Sequence, residues 1–285
     1  FASVGERVAA DISLAGVVDA GPRPPRVCAA ALELRPVTLP ELSKAISSMS
    51  SSRAAGVDGV PLHAIVNCLP VIGPHLLHLV NRSIVTAVFP EAWKLARVIP
   101  IHKSGDRSDP SNFRPISILP VLSKILEKVV AIQLMSYLTE NNILSPHQYA
   151  YRPSHSTEHA MLDAVDWIVK RVDDGHVVSL ASIDLSKAFD SVNHALLLNK
   201  LEWYGIPSAW FASYLHNRRQ VVTGSDSDPL HVSHGVAQGS ILGPILFLLV
   251  TNDLSSFLTH GRLLSYADDT QILDHRWKAC IISKH

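Results

Sequence analysis

The run Tyr266-Ala267-Asp268-Asp269 puts two adjacent carboxylates where a strand must turn, with Leu263 and Leu264 before them and Ile272 and Leu273 after. A third acid, Asp184, ends another apolar stretch holding Val177, Val178, Leu180 and Ile183. Three acids gathered in a largely buried sheet repel one another and stay ionised only at a cost. Hard divalent cations, which take carboxylate and phosphate oxygens, remove that conflict. Two such ions are what an in-line phosphoryl or nucleotidyl transfer needs. Successive strand residues point to opposite faces, so Asp268 and Asp269 reach one site only from a tight turn. The plain alternative is a polar hairpin tip. Asp184, flanked by Ile183 and Leu185, weighs against it, because an acid within an apolar strand needs a partner.

Other residues extend this chemistry. Phe189 follows Asp184 where the chain leaves the strand. It is either a packing aromatic or a ring that presses on a nucleotide sugar and excludes a 2′-hydroxyl. Asp190 reads as a helix cap rather than a further ligand. Gln238-Gly239-Ser240 combines an amide, a residue without Cβ and a hydroxyl. Gly239 lets backbone approach a ligand, and Gln238 can hydrogen-bond a base or sugar, although an ordinary turn has the same composition. Lys103 and Arg114 flank a glycine-bearing turn and suit a triphosphate, Arg through its planar fork. Arg152, after Tyr149-Ala150-Tyr151, is a candidate template contact; a solvated loop cation is the competing reading for it and for Arg107.

The elements that would position these residues follow from periodicity and punctuation. Leu39 to Met49 predicts a helix with Leu42, Ile46 and Met49 on one face. Gly56-Val57-Asp58-Gly59 is a turn, Pro61 opens another helix, and Leu76 to Val88 forms a further one that ends at Phe89-Pro90. Ala96 to Ile101 and Arg114 to Leu119 read as paired strands around Ser104-Gly105-Asp106. Helices follow Pro120 and span His155 to Arg171. From Val177 the pattern becomes short apolar strands. A helix capped by Asp190 or Ser191 runs to Gly205, Gln220 to Thr223 and Leu230 to Ser233 form a hairpin, and a buried helix starts near Pro244. Leu263 to Leu273 is a hairpin with the acids at its tip. Early helices, then an antiparallel sheet with helices on one face, predict an α+β architecture.

Composition narrows the class. The chain has 285 residues, is 47% hydrophobic and carries no net formal charge. It is therefore globular, with no strong pull toward non-specific nucleic-acid binding. The basic residues do cluster, at Lys94 to Arg114 and at Arg218-Arg219. Cys28, Cys68 and Cys280 are isolated, which supports neither a disulfide framework nor a zinc site and makes an intracellular setting the default. His155 and His159 lack the glutamate of a zinc-protease motif and read as surface residues. The longest apolar run, 241–250, is too short to span a bilayer, and no signal peptide is evident. Phe1 in place of an initiator Met is expected of a fragment or of an incomplete gene model.

Taken in order, these segments resemble the reverse transcriptase of non-LTR (LINE-type) retrotransposons. The resemblance covers about residues 54–273 and rests on seven motifs in the family's order. They are Ala55-Gly56-Val57-Asp58-Gly59, Ala96 to Lys103, Asn112-Phe113-Arg114-Pro115-Ile116-Ser117, Gln148-Tyr149-Ala150-Tyr151-Arg152-Pro153, Asp184 to Val192, Ala237 to Pro244, and Tyr266-Ala267-Asp268-Asp269. The resemblance implies the fingers and palm of a right-hand polymerase, and RNA-directed DNA synthesis from a primer 3′-hydroxyl, an RNA template, a DNA primer and dNTPs. It makes Asp184, Asp268, Asp269 and the Leu185 carbonyl the ligands of two Mg²⁺ ions, with Mn²⁺ as an alternative. It makes Phe189 the sugar gate, Gln238 and Gly239 the border of the incoming nucleotide, and Lys103 and Arg114 the triphosphate contacts. The implied division is a leader over 1–35, fingers over 36–175, palm over 176–275 and a tail outside the family pattern over 276–285.

Ala237, Ala55 and Val57 stand where the family usually has proline. The tail carries no convincing counterpart of the family's downstream lysine, the primer grip or the thumb, so weak or no processive synthesis is expected. A nuclear setting follows from the family alone. An RNA-dependent RNA polymerase, a related intron-type or telomerase-type enzyme, and a non-catalytic remnant that binds RNA are the competing readings. Phe189 counts against the first and the three intact acids against the last.

Overall fold

Residue patterning translates directly into the amino-terminal helices of the computed structural model, which describes residues 7, 31–50, 54–185, 187–224 and 228–278. Nearly all of the expected leader lies outside the described residues. Helix α1 (Leu39–Ser47) starts at a capping box in which Thr38 and Glu41 satisfy each other's backbone N–H groups, and it buries Leu42, Ala45 and Ile46. The two helices expected after Pro61 are one 25-residue helix, α2 (Leu62–Thr86), running through Pro70 and Pro74. Both prolines lie on the solvent face with Val66. The carbonyls of Val66 and Pro70, which lose their donors, can therefore turn to water. By length and composition α2 could cross a membrane. In this fold its Leu62, Ile65, Leu76, Val80 and Ile84 stripe is built into the main core.

Helix α3 (Val121–Glu140) starts behind Pro120 and is buried on most sides. It packs against α7 (Leu242–Thr251), whose residues Leu242 to Leu249 are buried except for Pro244. The first N–H groups of α7 point into this core, where water cannot satisfy them. Glu127, fully buried on α3, accepts from Ile241 N–H at 2.8 Å and Leu242 N–H at 3.3 Å, and from the Ser123 hydroxyl at 3.0 Å. Helices α5 (His194–Trp203) and α6 (Ser208–Leu215) complete this layer. The α5 cap is Asn193, which accepts from Leu196 N–H, rather than Asp190 or Ser191. Periodicity in so short a segment as α6 gives no expectation of a helix, and its Trp210, Phe211 and Tyr214 are buried on packing.

Two sheets hold the remaining elements. β1 (Leu95–His102) pairs antiparallel with β2 (Phe113–Ile118), as expected, and also lies parallel to β4 (Arg218–Val222), which pairs with β5 (Leu230–Val232). This sheet is thus mixed, in the order β2-β1-β4-β5. The second sheet is antiparallel in the order β3-β7-β6, from β3 (His176–Ile183), β6 (Arg262–Tyr266) and β7 (Asp269–Lys278). Helix α4 (Thr157–Asp173), capped by Ser156, covers one face through Ala160, Ala164, Trp167 and Ile168 against Leu264 and Leu273. β3 is an edge strand, and Val177, Leu180, Ile183 and Leu185 are exposed. The chain is α+β.

Candidate active site

The site is assembled from the ends of the three-stranded sheet. Tyr266 pairs with Asp269, leaving Ala267 and Asp268 as a two-residue turn, and Ala267 has φ +58°. A positive φ at the first turn residue fits the twist of a tight hairpin. The turn separates the two acids: Asp268 is half-buried and Asp269, the first residue of β7, is exposed. On the neighbouring strand the ladder ends with Ile183 opposite Thr270, so Asp184 and Asp269 come next in register. Asp184 is exposed at this edge. The expected crowding of three acids in a buried sheet is corrected here, because solvent reaches one face of β3 and relieves the repulsion.

Asp184 and Asp268 line one cleft of about 760 Å³, together with Leu185, Lys187, Phe189, Asp190, Gln238, Lys103 and Arg114. Asp269, Gly239 and Arg152 are not among its lining residues. Among the described residues no three His, Cys, Asp or Glu side chains form a ready-made metal group. The chemistry of the donors fits a hard cation nonetheless. Asp184, Leu185 and Asp268 line an open cleft with room for the phosphate oxygens and water that Mg²⁺ prefers. Asp184, Asp268 and the Leu185 carbonyl would hold it, with Asp269 next to them in the strand register.

Phe189 is held as a wall of the cleft. Its ring stacks on Phe247 of α7 at 4.7 Å and 18°, and the Tyr151 ring meets it edge-on at 6.5 Å. Burial pushes the Tyr151 hydroxyl above its ordinary pKa, and the Asp268 carboxylate adds to the shift. Tyr151 thus belongs to the site, although its sequence neighbourhood suggested only Arg152. Arg7 and Lys187, also unanticipated, add two cations to Lys103 and Arg114 in the cleft lining, Lys187 from a left-handed turn with φ +53°.

Lys103 and Arg114 meet at the open end of the β1–β2 ladder, where Ile101 pairs with Arg114 and Lys103 N–H donates to the Asn112 carbonyl. The other end of β2 holds the Gln238 loop, because Ser117 N–H donates to the Gln238 carbonyl at 2.7 Å. Gly239 has φ +120°, and a Cβ there would lie 2.4 Å from the Ser117 carbonyl oxygen. No other residue fits so close an approach. The Gln238 amide donates to both carboxylate oxygens of Asp190, at 3.1 and 3.0 Å. Burial raises the Asp190 pKa, while Gln238, Lys187 and Lys103 oppose the shift. Asp190 therefore orients Gln238 instead of capping a helix.

Arg152 turns inward. One guanidinium nitrogen donates to the Ser145 and Gln148 carbonyls, at 2.6 and 3.0 Å. The loop it braces lies beside β6 as a short parallel bridge between Gln148 and Ser265.

A family model described as "Reverse transcriptase (RNA-dependent DNA polymerase)" matches residues 101–280. The chain is 34% identical over 259 residues to the "Probable RNA-directed DNA polymerase from transposon BS" of Drosophila melanogaster, an alignment covering 85% of this chain and 28% of that protein. It is 32% identical over 240 residues to the corresponding X-element protein of the same organism, covering 80% and 26%. Against the "Retrovirus-related Pol polyprotein from type-1 retrotransposable element R2" of Popillia japonica it is 29% identical over 258 residues, covering 84% and 35%. The aligned part is between 26% and 35% of these relatives' length.

Proposed function

The chain belongs to the reverse transcriptase (RNA-dependent DNA polymerase) family, and from that premise we propose that it forms the fingers and palm of a non-LTR retroelement's RNA-directed DNA polymerase. The reaction joins a primer 3′-hydroxyl to the α-phosphorus of a dNTP on an RNA template. A new P–O bond forms to the 3′-oxygen, the bond to the β-phosphate oxygen breaks, and pyrophosphate leaves. The observation that carries this reading is the cleft that Asp184 and Asp268 share with Phe189, Gln238, Lys103 and Arg114.

Each residue has a defined task. Asp184 and Asp268, with Asp269 and the Leu185 carbonyl, would hold two Mg²⁺ ions, or Mn²⁺. When bound, such ions polarise the reacting phosphate oxygens and the attacking hydroxyl. Lys103 and Arg114 offset the charge of the triphosphate, the Arg fork by paired hydrogen bonds. Phe189, braced by Phe247, meets the sugar and leaves no room for a 2′-hydroxyl. Gln238, aimed by Asp190, borders the nucleotide, and Gly239 keeps that loop against β2. Catalysis is then chiefly positioning and charge neutralisation.

The test is single-nucleotide addition to a DNA primer annealed to RNA, with Mg²⁺ and one dNTP. The parent chain adds the templated deoxynucleotide, and Asp268→Asn lowers the rate about a thousandfold. Equal rates for parent and variant would remove Asp268 from the chemistry. Ribonucleotides added as fast as deoxynucleotides would make the enzyme an RNA polymerase.

A further inference from the structure

Asp268 sits in a turn whose other residue, Ala267, has φ +58° and is buried. A residue with a Cβ adopts that conformation at a cost and keeps it only when its surroundings hold it there. Here the holder is Gln148, which is 5% exposed. Its side-chain oxygen accepts from Ala267 N–H at 3.1 Å and from Ala150 N–H at 3.0 Å, and its amide nitrogen donates to the Ala267 carbonyl at a longer 3.4 Å. One side chain thus holds the amide and the carbonyl of the strained residue.

The backbone around Gln148 is fixed to the same hairpin. Tyr149 N–H donates to the Ser265 carbonyl at 2.9 Å, and Ser265 N–H donates to the His147 carbonyl at 2.8 Å. The Tyr149 hydroxyl donates to Asp163 on α4 at 2.5 Å, and Arg262 of β6 grips the same carboxylate at 2.7 Å. Arg152 closes the loop behind Gln148. Only a neutral amide of this length suits the position. Asparagine falls one methylene short, glutamate has no donor and would add a negative charge beside Asp268, and methionine offers neither donor nor acceptor.

We propose that Gln148 is a positioning residue for Asp268: it locks the Ala267 peptide and so sets where the Asp268 carboxylate meets the metal. The proposal rests on the reading of Asp268 as a metal ligand, and Gln148 itself is not among the residues that line the cleft.

The experiment uses the full chain and three variants, Gln148→Met, Gln148→Asn and Asp268→Asn. Mn²⁺ affinity is read by electron paramagnetic resonance, the Ala267 amide exchange rate by NMR, and folding by circular dichroism. Gln148→Met is expected to weaken Mn²⁺ binding at least tenfold and to speed Ala267 exchange about a hundredfold, with Gln148→Asn between it and the parent. Mn²⁺ affinity within twofold of the parent in a folded Gln148→Met protein would overturn the proposal. If that variant does not fold, Gln148→Asn decides on the same twofold criterion. If Asp268→Asn binds Mn²⁺ as the parent does, the metal reading itself fails. The hold on Ala267 is then judged by exchange alone, and unchanged exchange in Gln148→Met overturns it.

Discussion

Glu127 offers the sharpest test of how the core supports the site. It is a buried acid whose carboxylate accepts from Ile241 N–H, Leu242 N–H and the Ser123 hydroxyl, with no salt bridge among the described residues. Two replacements separate its charge from its hydrogen bonds. In Glu127→Gln the amide oxygen can still accept from both α7 donors, and the Ser123 hydroxyl can rotate to accept from the new NH₂. Only the charge-assisted strength and the favourable interaction with the positive end of α7 are lost, about 1 kcal/mol. In Glu127→Met a flexible apolar side chain fills similar space but leaves two buried N–H groups without acceptors. At about 1–3 kcal/mol each, that costs roughly 2–6 kcal/mol, offset in part by no longer burying a carboxylate. Against a typical domain stability of about 5–15 kcal/mol, the Gln protein stays folded and the Met protein becomes marginal. Urea unfolding followed by far-ultraviolet circular dichroism measures both midpoints. Equal midpoints for the two variants, or a Met protein more stable than the parent, would show that the α7 donors do not depend on Glu127.

Three further outcomes follow from the same geometry. Phe189→Val removes the ring proposed to face the sugar and should lower the preference for dNTP over NTP about 10- to 100-fold in single-nucleotide addition; an unchanged preference would leave Phe189 only its packing on Phe247. Gly239→Ala forces a Cβ within 2.4 Å of the Ser117 carbonyl oxygen at φ +120°. It should cost about 2–4 kcal/mol in urea unfolding, and a loss below a few tenths would mean that the loop moves off β2 freely. Burial and the hydrogen bond to Asp163 push the Tyr149 hydroxyl up to about 12 from 10.0. The folded state thus holds this proton more tightly, so the stabilisation is complete below pH 10.0 and is lost as pH rises through about 12. Buried Tyr204 and Tyr214 shift in the same direction. Tyr149→Phe should therefore shrink, without abolishing, the fall in urea midpoint between pH 9 and pH 11, and an equal fall in both proteins refutes the assignment.

Local signals located the elements that carry the chemistry. Apolar pairs on either side of the acids, Leu263-Leu264 and Ile272-Leu273, marked the β6–β7 hairpin, and the turn around Gly105 marked the β1–β2 pair. Helices that begin behind Pro120 and next to Ser156 were equally legible, because caps and prolines act within a single turn. The single span of α2 was not legible, since local rules disfavour a helix through Pro70 and Pro74, and only the tertiary packing puts both prolines on the solvent face. The edge position of β3 was also invisible: an apolar strand reads as buried whether or not anything covers its second face.

The residue types and their order were enough to determine the family and to single out the acids, the aromatic beside them and the glutamine-glycine loop as candidates. Tertiary structure alone decided how those residues are held. Gln148 reaches Ala267 across 119 positions, Glu127 reaches Ile241 across 114, and Asp190 reaches Gln238 across 48. Contacts at such separations leave no periodicity or spacing to read. They exist because buried polar groups must find partners wherever the folded chain brings them together.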